Sequence, residues 1–185
     1  MNKMNAGGIL NATTYSIDTA HSDVSFSVRH LMITQIKGLF NRFEGSMASS
    51  YPDFSDARIQ VQIDAGSILT NHPDRDQHLR GEDFFAVDRF PFIRFQSSSL
   101  LQLNESDFLL NGFLTIRDIR EAIQLKVKFH RKSVDQYGEV KYGFELTGEI
   151  SRKDFGLFWD DLTAVGGIII ADTIYLHMNI QLLKN

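Results

Sequence analysis

Apolar and polar residues alternate through most of this chain with the period of two that half-buried strands require. Val24, Phe26, Val28 and His30 fall on one face, with Ser25, Ser27 and Arg29 on the other. The pattern recurs over residues 59–63, 108–116, 123–129, 140–150 and 174–182. Two further strands are less regular. Residues 36–47 place Phe40 and Phe43 three apart, which breaks the alternation and predicts a β-bulge, and residues 92–98 follow Pro91. One-sided apolar faces are the mark of an antiparallel sheet. Eight such strands predict an all-β, eight-stranded antiparallel barrel, whose interior is either filled or holds one small ligand. A two-sheet sandwich is the alternative on pattern alone.

One stretch departs from this pattern. In NHPDRDQHLRGEDFF, residues 71–85, Pro73 suits a first helical position, Asp74 and Asp76 suit the positive end of a helix, and Gly81 is a stop. Between Pro73 and Gly81 only Leu79 is apolar, so a core-facing stripe cannot hold this helix. It is expected over one barrel end, tied down by polar contacts, with Phe84 and Phe85 turned into the barrel. Arg75, His78, Arg80 and Asp83 are assigned to a structural polar motif. An Asp76–Arg80 pair at i, i+4 accounts for part of its charge, and Asp83 or backbone carbonyls are the expected partners of the arginines. His72 and His78 are six apart, unlike the i, i+4 pair of a zinc helix.

Composition narrows the function. The chain has 185 residues, enough for one domain, with 43% hydrophobic and 23% charged residues. A net charge of −4 argues against a nucleic-acid surface. With no cysteine, disulfides and thiolate chemistry are excluded. The chain shows no run of about 18 apolar residues to cross a membrane as a helix. Residues 1–13 are read as a flexible tail lacking a secretory h-region, which gives a cytoplasmic expectation, with residues 14–185 as the barrel domain. The nucleophile-elbow and phosphate-loop patterns are absent. His21, His30, His130 and His177 are scattered singly, Gly166-Gly167 reads as a turn into the last strand, and Phe158 and Trp159 as a plug. No catalytic residue, metal ligand or cofactor is assigned.

The 15 phenylalanines are the better lead. The inward phases place Phe26, Phe40, Phe43, Phe95, Phe129 and Phe144 in the interior. Val28, Leu114, Leu125, Val127, Leu146, Leu176 and Met178 join them, and His30 is the one ionisable residue in phase. Core filler and channel lining share this alternation, so the pattern leaves both readings open.

Several segments carry a family likeness. YSIDTAHSDVSFSVRH at 15–30, KGLFNRFEG at 37–45, SILTNHPDRDQHLRGEDFFAVDRFPFIRFQSSSL at 67–100, LNGFLTIRDI at 110–119 and ISRKDFGL at 150–157 resemble the YceI-like polyisoprenoid-binding family. That resemblance implies a lipocalin-like barrel enclosing an elongated apolar channel, and a binder or carrier of polyisoprenoids, isoprenoid quinones or similar lipids, without a catalytic mechanism. The channel would be lined by the inward residues named above together with Phe84 and Phe85. The polar motif becomes a family hallmark on the short helix between strands. After Ile116 the family commonly has a glycine and a proline-like turn, whereas this chain has RDIREA. Many relatives are periplasmic. An isoprenoid isomerase or cyclase using His30, and a solid-core interaction barrel, are the alternative functions, and a homodimer is left open.

Overall fold

The computed structural model describes residues 12–31, 33–159 and 170–185. Its strands are β1 (Thr13–Ile17), β2 (Asp23–His30), β3 (Thr34–Phe40), β4 (Phe43–Ser49), β5 (Arg58–Asp64), β6 (Ile68–Leu69), β7 (Phe92–Gln102), β8 (Asp107–Ile116), β9 (Ile119–Val134), β10 (Val140–Ser151) and β11 (Ile170–Lys184). One α-helix, α1 (Pro73–Arg80), lies between β6 and β7. Every pairing is antiparallel, in the order β1-β4-β5-β7-β8-β9-β10-β11 and back to β1, a closed barrel of eight strands.

The eleven strands make eight walls because three walls are broken, the third where β6 follows β5 after a short 3-10 turn. β1 and β2 follow one another along a single edge of β11, against Leu182–Lys184 and Ile170–Asn179. The chain bends at Asn41-Arg42, so that β3 pairs with β2 while β4 pairs with β1 and β5. The anticipated bulge between Phe40 and Phe43 is therefore a strand break. Phe40 is buried and Phe43 half-buried against the core. β1 lies partly in the segment expected to be tail: it starts at Thr13 and buries Tyr15. β6 is too short to carry any alternation. The RDIREA hairpin closes by a two-residue turn, with Ile116 paired to Ile119 and Arg117 at a φ of 57°, a left-handed conformation that usually selects glycine.

Among the described residues, β3 is paired on its outer side only at Leu39 and Phe40, by β6. The β6–α1 segment follows directly from that two-residue pairing.

The opposite end is shut. Phe54, in the loop between β4 and β5, has a φ of 60° and is buried. Its ring meets Tyr15 and Tyr142 nearly edge-on, at centroid distances of 5.7 and 5.5 Å, the geometry that aromatic quadrupoles favour. Burial, and then the adjacent Tyr142, push the Tyr15 phenol above its ordinary pKa. Asp56 holds the loop in place. It accepts from Ser49 Oγ (2.6 Å) and from the Ser50 amide (3.0 Å), and these bonds bring its carboxyl down to about 2. No helix among the described residues is long and apolar enough to cross a membrane.

Candidate ligand-binding cavity

The barrel is hollow. A cavity of ≈ 570 Å³ runs from Phe54 and Leu182 at the shut end to His30, Arg152, Trp159 and Ile170 at the other. The volume lies inside the range of roughly 300–1,000 Å³ typical of small-molecule sites. The inward side chains of β10 and β11 are mostly half-buried, as expected where they turn part of their area to the lumen. Two glycines keep the lumen wide. A Cβ on Gly38 would come within 2.4 Å of Phe26 Cζ, and one on Gly112 within 2.4 Å of Phe95 Cζ. Both rings therefore lie flat against the wall.

Phe26, Val28, His30, Phe40, Phe84, Phe85, Phe95 and Leu114 all line this cavity, as do Leu125, Val127, Phe144, Leu146, Leu176 and Met178. Phe43 and Phe129 do not. Phe43 packs against the core where β3 breaks into β4. Phe129 packs on Phe144 with ring centroids 5.3 Å apart, beside the register shift at Gly143/Phe144, and is half-buried against the core. Among the described lining residues the ionisable side chains are His30, Asp74, Arg75, His78 and Arg152.

The mouth is framed by hydrogen bonds. Pro73 starts α1 and Gly81 caps it, while His72 Nδ1 accepts from the Arg75 amide at 3.4 Å. Arg75 donates from Nε to Thr70 Oγ1 and from Nη2 to Thr70 O, each at 2.7 Å. Arg80 donates to Gly66 O and Ile68 O at 2.8 Å. The expected Asp76–Arg80 surface pair is absent: Asp76 is buried and accepts from the Thr70 amide at 2.8 Å and from its hydroxyl. Asp83 meets His78 Nε2 at 3.0 Å rather than an arginine. The several N–H donors of the Arg80 guanidinium let it bond two carbonyls at once, those of Gly66 and Ile68. The His78 ring stands edge-on to Trp159 at 4.8 Å and to Phe84 at 5.2 Å, so Trp159 lies at the mouth. Gly166-Gly167 and the rest of the expected plug beyond Trp159 lie outside the described residues.

Sequence reasoning missed Arg152. This side chain is only 3% exposed and follows β10 in a short 3-10 turn. It donates to Leu157 O (2.7 Å), Trp159 O (2.8 Å) and Ala171 O (3.3 Å), and pairs with Asp172 at 3.2 Å. The signal was present, because Arg152 continues the even-numbered inward row of β10 that runs from Val140 to Ile150. His130 and His177 are not isolated either. They contact different oxygens of Glu145 on the outer face, at 3.4 and 3.1 Å. Those contacts, that of His177 foremost, lower the Glu145 pKa. Among the described residues no cluster is arranged to hold a metal ion.

A closed antiparallel barrel around an apolar cavity with a polar rim defines a hollow β-barrel. The sequence profile of the YceI-like domain matches residues 15–182, and the chain belongs to that family. It is 33% identical over 153 residues to a UPF0312 protein of Shewanella denitrificans, covering 82% of this chain and 80% of that protein. The Campylobacter jejuni YceI protein has a similar crystal structure (TM-score 0.73, 25% identity), covering 100% of this chain and 99% of that one. A polyisoprenoid binding domain from Saccharophagus degradans shares the fold, with a TM-score of 0.70, 15% identity and coverage of 92% and 98%.

Proposed function

We propose that this protein binds a long apolar amphiphile, a polyisoprenoid, an isoprenoid quinone or a similar lipid. The tail lies in the barrel and the headgroup at the mouth. The observation that carries this reading is the ≈ 570 Å³ cavity, whose ionisable lining is gathered at one end. The family and the polyisoprenoid binding neighbour support it. At about 30 Å³ per water-sized group, the cavity admits on the order of 20 carbons. At about 0.8 kcal/mol per buried CH₂, such a tail gains about 16 kcal/mol before the cost of ordering it. A longer chain leaves its remainder outside.

The reading is of a binder rather than an enzyme. An isomerase or cyclase would need an acid and a base facing the buried tail, and the ionisable groups named above stand where a headgroup would. Native mass spectrometry of protein purified without delipidation is expected to show a co-purifying apolar mass, replaced by added isoprenoid. Protein that is always empty and takes up no isoprenoid would overturn the proposal.

A further inference from the structure

Between β2 and β3 the sequence reads Leu31-Met32-Ile33, where polar turn residues are the rule; Leu31 and Ile33 are the described members of this run. Leu31 adopts a φ of 51°, a conformation that bulky residues avoid. It is 39% exposed and Ile33 is 84% exposed, while Phe158, beside Trp159, is 64% exposed. Each belongs to the mouth by its neighbours: His30 precedes Leu31, Ile36 follows Ile33 by three residues, and Leu157 and Trp159 flank Phe158, all four lining the cavity. Charge follows the same segment. Residues 24–43 contain Arg29, Lys37 and Arg42 and no carboxylate, in a chain of net charge −4. Arg29 and Lys37 are exposed. Of the carboxylates around the opening, Asp172 is engaged with Arg152 and Lys153, Asp83 meets His78, and Asp74 sits on α1, while Asp160 and Asp161 lie outside the described residues.

We infer that this hairpin docks the mouth of the barrel onto an anionic lipid bilayer, with Leu31 and Ile33 entering the interfacial layer and Arg29 and Lys37 facing the headgroups. Shallow apolar insertion combined with basic residues is the pairing of forces that holds peripheral proteins on anionic membranes. It would let an apolar tail pass from bilayer to cavity without crossing water. The inference rests on the binding function proposed above, but its test is separate.

Co-sedimentation is measured with vesicles of phosphatidylcholine alone and of phosphatidylcholine with phosphatidylglycerol, beside uptake of a fluorescent apolar probe from aqueous solution. The protein is expected to sediment with the anionic vesicles, and less so as salt is raised. Leu31→Asn combined with Ile33→Ser should cut sedimentation roughly tenfold while probe uptake and melting temperature hold. Arg29→Ala with Lys37→Ala should remove the preference for anionic vesicles. Probe uptake without sedimentation would overturn the docking and leave the binding function standing. Sedimentation unchanged in both double variants would overturn the role of the hairpin. Loss of self-association in the tip variant, without a change in sedimentation, would make the patch an interface between copies and also overturn it. Sedimentation without probe uptake would support docking and sink the binding function.

Discussion

The two ends of this barrel are held by opposite kinds of chemistry. At the shut end, Phe54 is driven between Tyr15 and Tyr142, and dispersion contacts leave no room for anything else. At the mouth, Arg75, Arg80 and Arg152 are spread across the carbonyls of Gly66, Ile68, Thr70 and Leu157. Hydrogen bonds run around this end among the described residues, with the rings of His78, Phe84 and Trp159 packed beside them. A ring plug closes one end of the barrel; guanidinium–carbonyl bonds frame the rim of the other. The part of β3 left unpaired on its outer side among the described residues lies at this end.

The largest expected effect comes from emptying the plug. Phe54→Ala should cost about 4 kcal/mol in chemical denaturation and open the lumen at both ends. A loss below about 1 kcal/mol would mean that the ring is dispensable. Next, Arg152→Ala leaves several carbonyls and Asp172 without a buried cation, at a cost of about 3 kcal/mol. Hydrogen exchange should then rise at residues 152–159 and not around Phe54. Uniform loosening of both ends would show that the frame is not local.

Gly38→Ala probes the lumen itself. The new methyl must push the Phe26 ring off the wall. Binding of an apolar probe should weaken roughly tenfold, about 1.4 kcal/mol, with little change in melting temperature. Unchanged binding would indicate that the ligand does not reach Phe26. The smallest effect concerns acid. The folded-state pKa of Asp56, about 2, lies below the ordinary carboxylate value of about 4. Its contribution to stability is therefore present above about pH 4 and lost as pH falls towards 2. Asp56→Asn should flatten that part of the melting-temperature profile. An identical acid slope in the variant would assign the effect to other groups.

Much of the fold was legible because a one-residue slip would invert a whole strand face, so long alternating runs such as Phe108–Ile116 declare their inward side. β1 and β6 escaped, being too short for a period to register. The lining was legible for the same reason, except at Phe43 and Phe129, where a strand break and a register shift interrupt the phase. The polar frame was less so. The i, i+4 spacing offered Asp76 to Arg80, yet tertiary folding brought Thr70 to the carboxylate and carbonyls to the guanidinium. Arg152 was legible in phase, since it continues the inward row of β10, but its carbonyl and carboxylate partners are set by tertiary folding, which spacing does not show.

The central claim is that an apolar tail enters at the α1 end and stops short of Phe54. Trp159 is the only tryptophan in the chain and lies at the mouth, so its fluorescence reports which end of a ligand is near. Two isoprenoid chains can be compared, one carrying a nitroxide quencher beside the headgroup and the other carrying it at the tail terminus. Strong quenching by the headgroup-labelled chain and weak quenching by the tail-labelled chain, at equal occupancy, is the predicted result. Equal quenching, or stronger quenching by the tail label, would contradict the account.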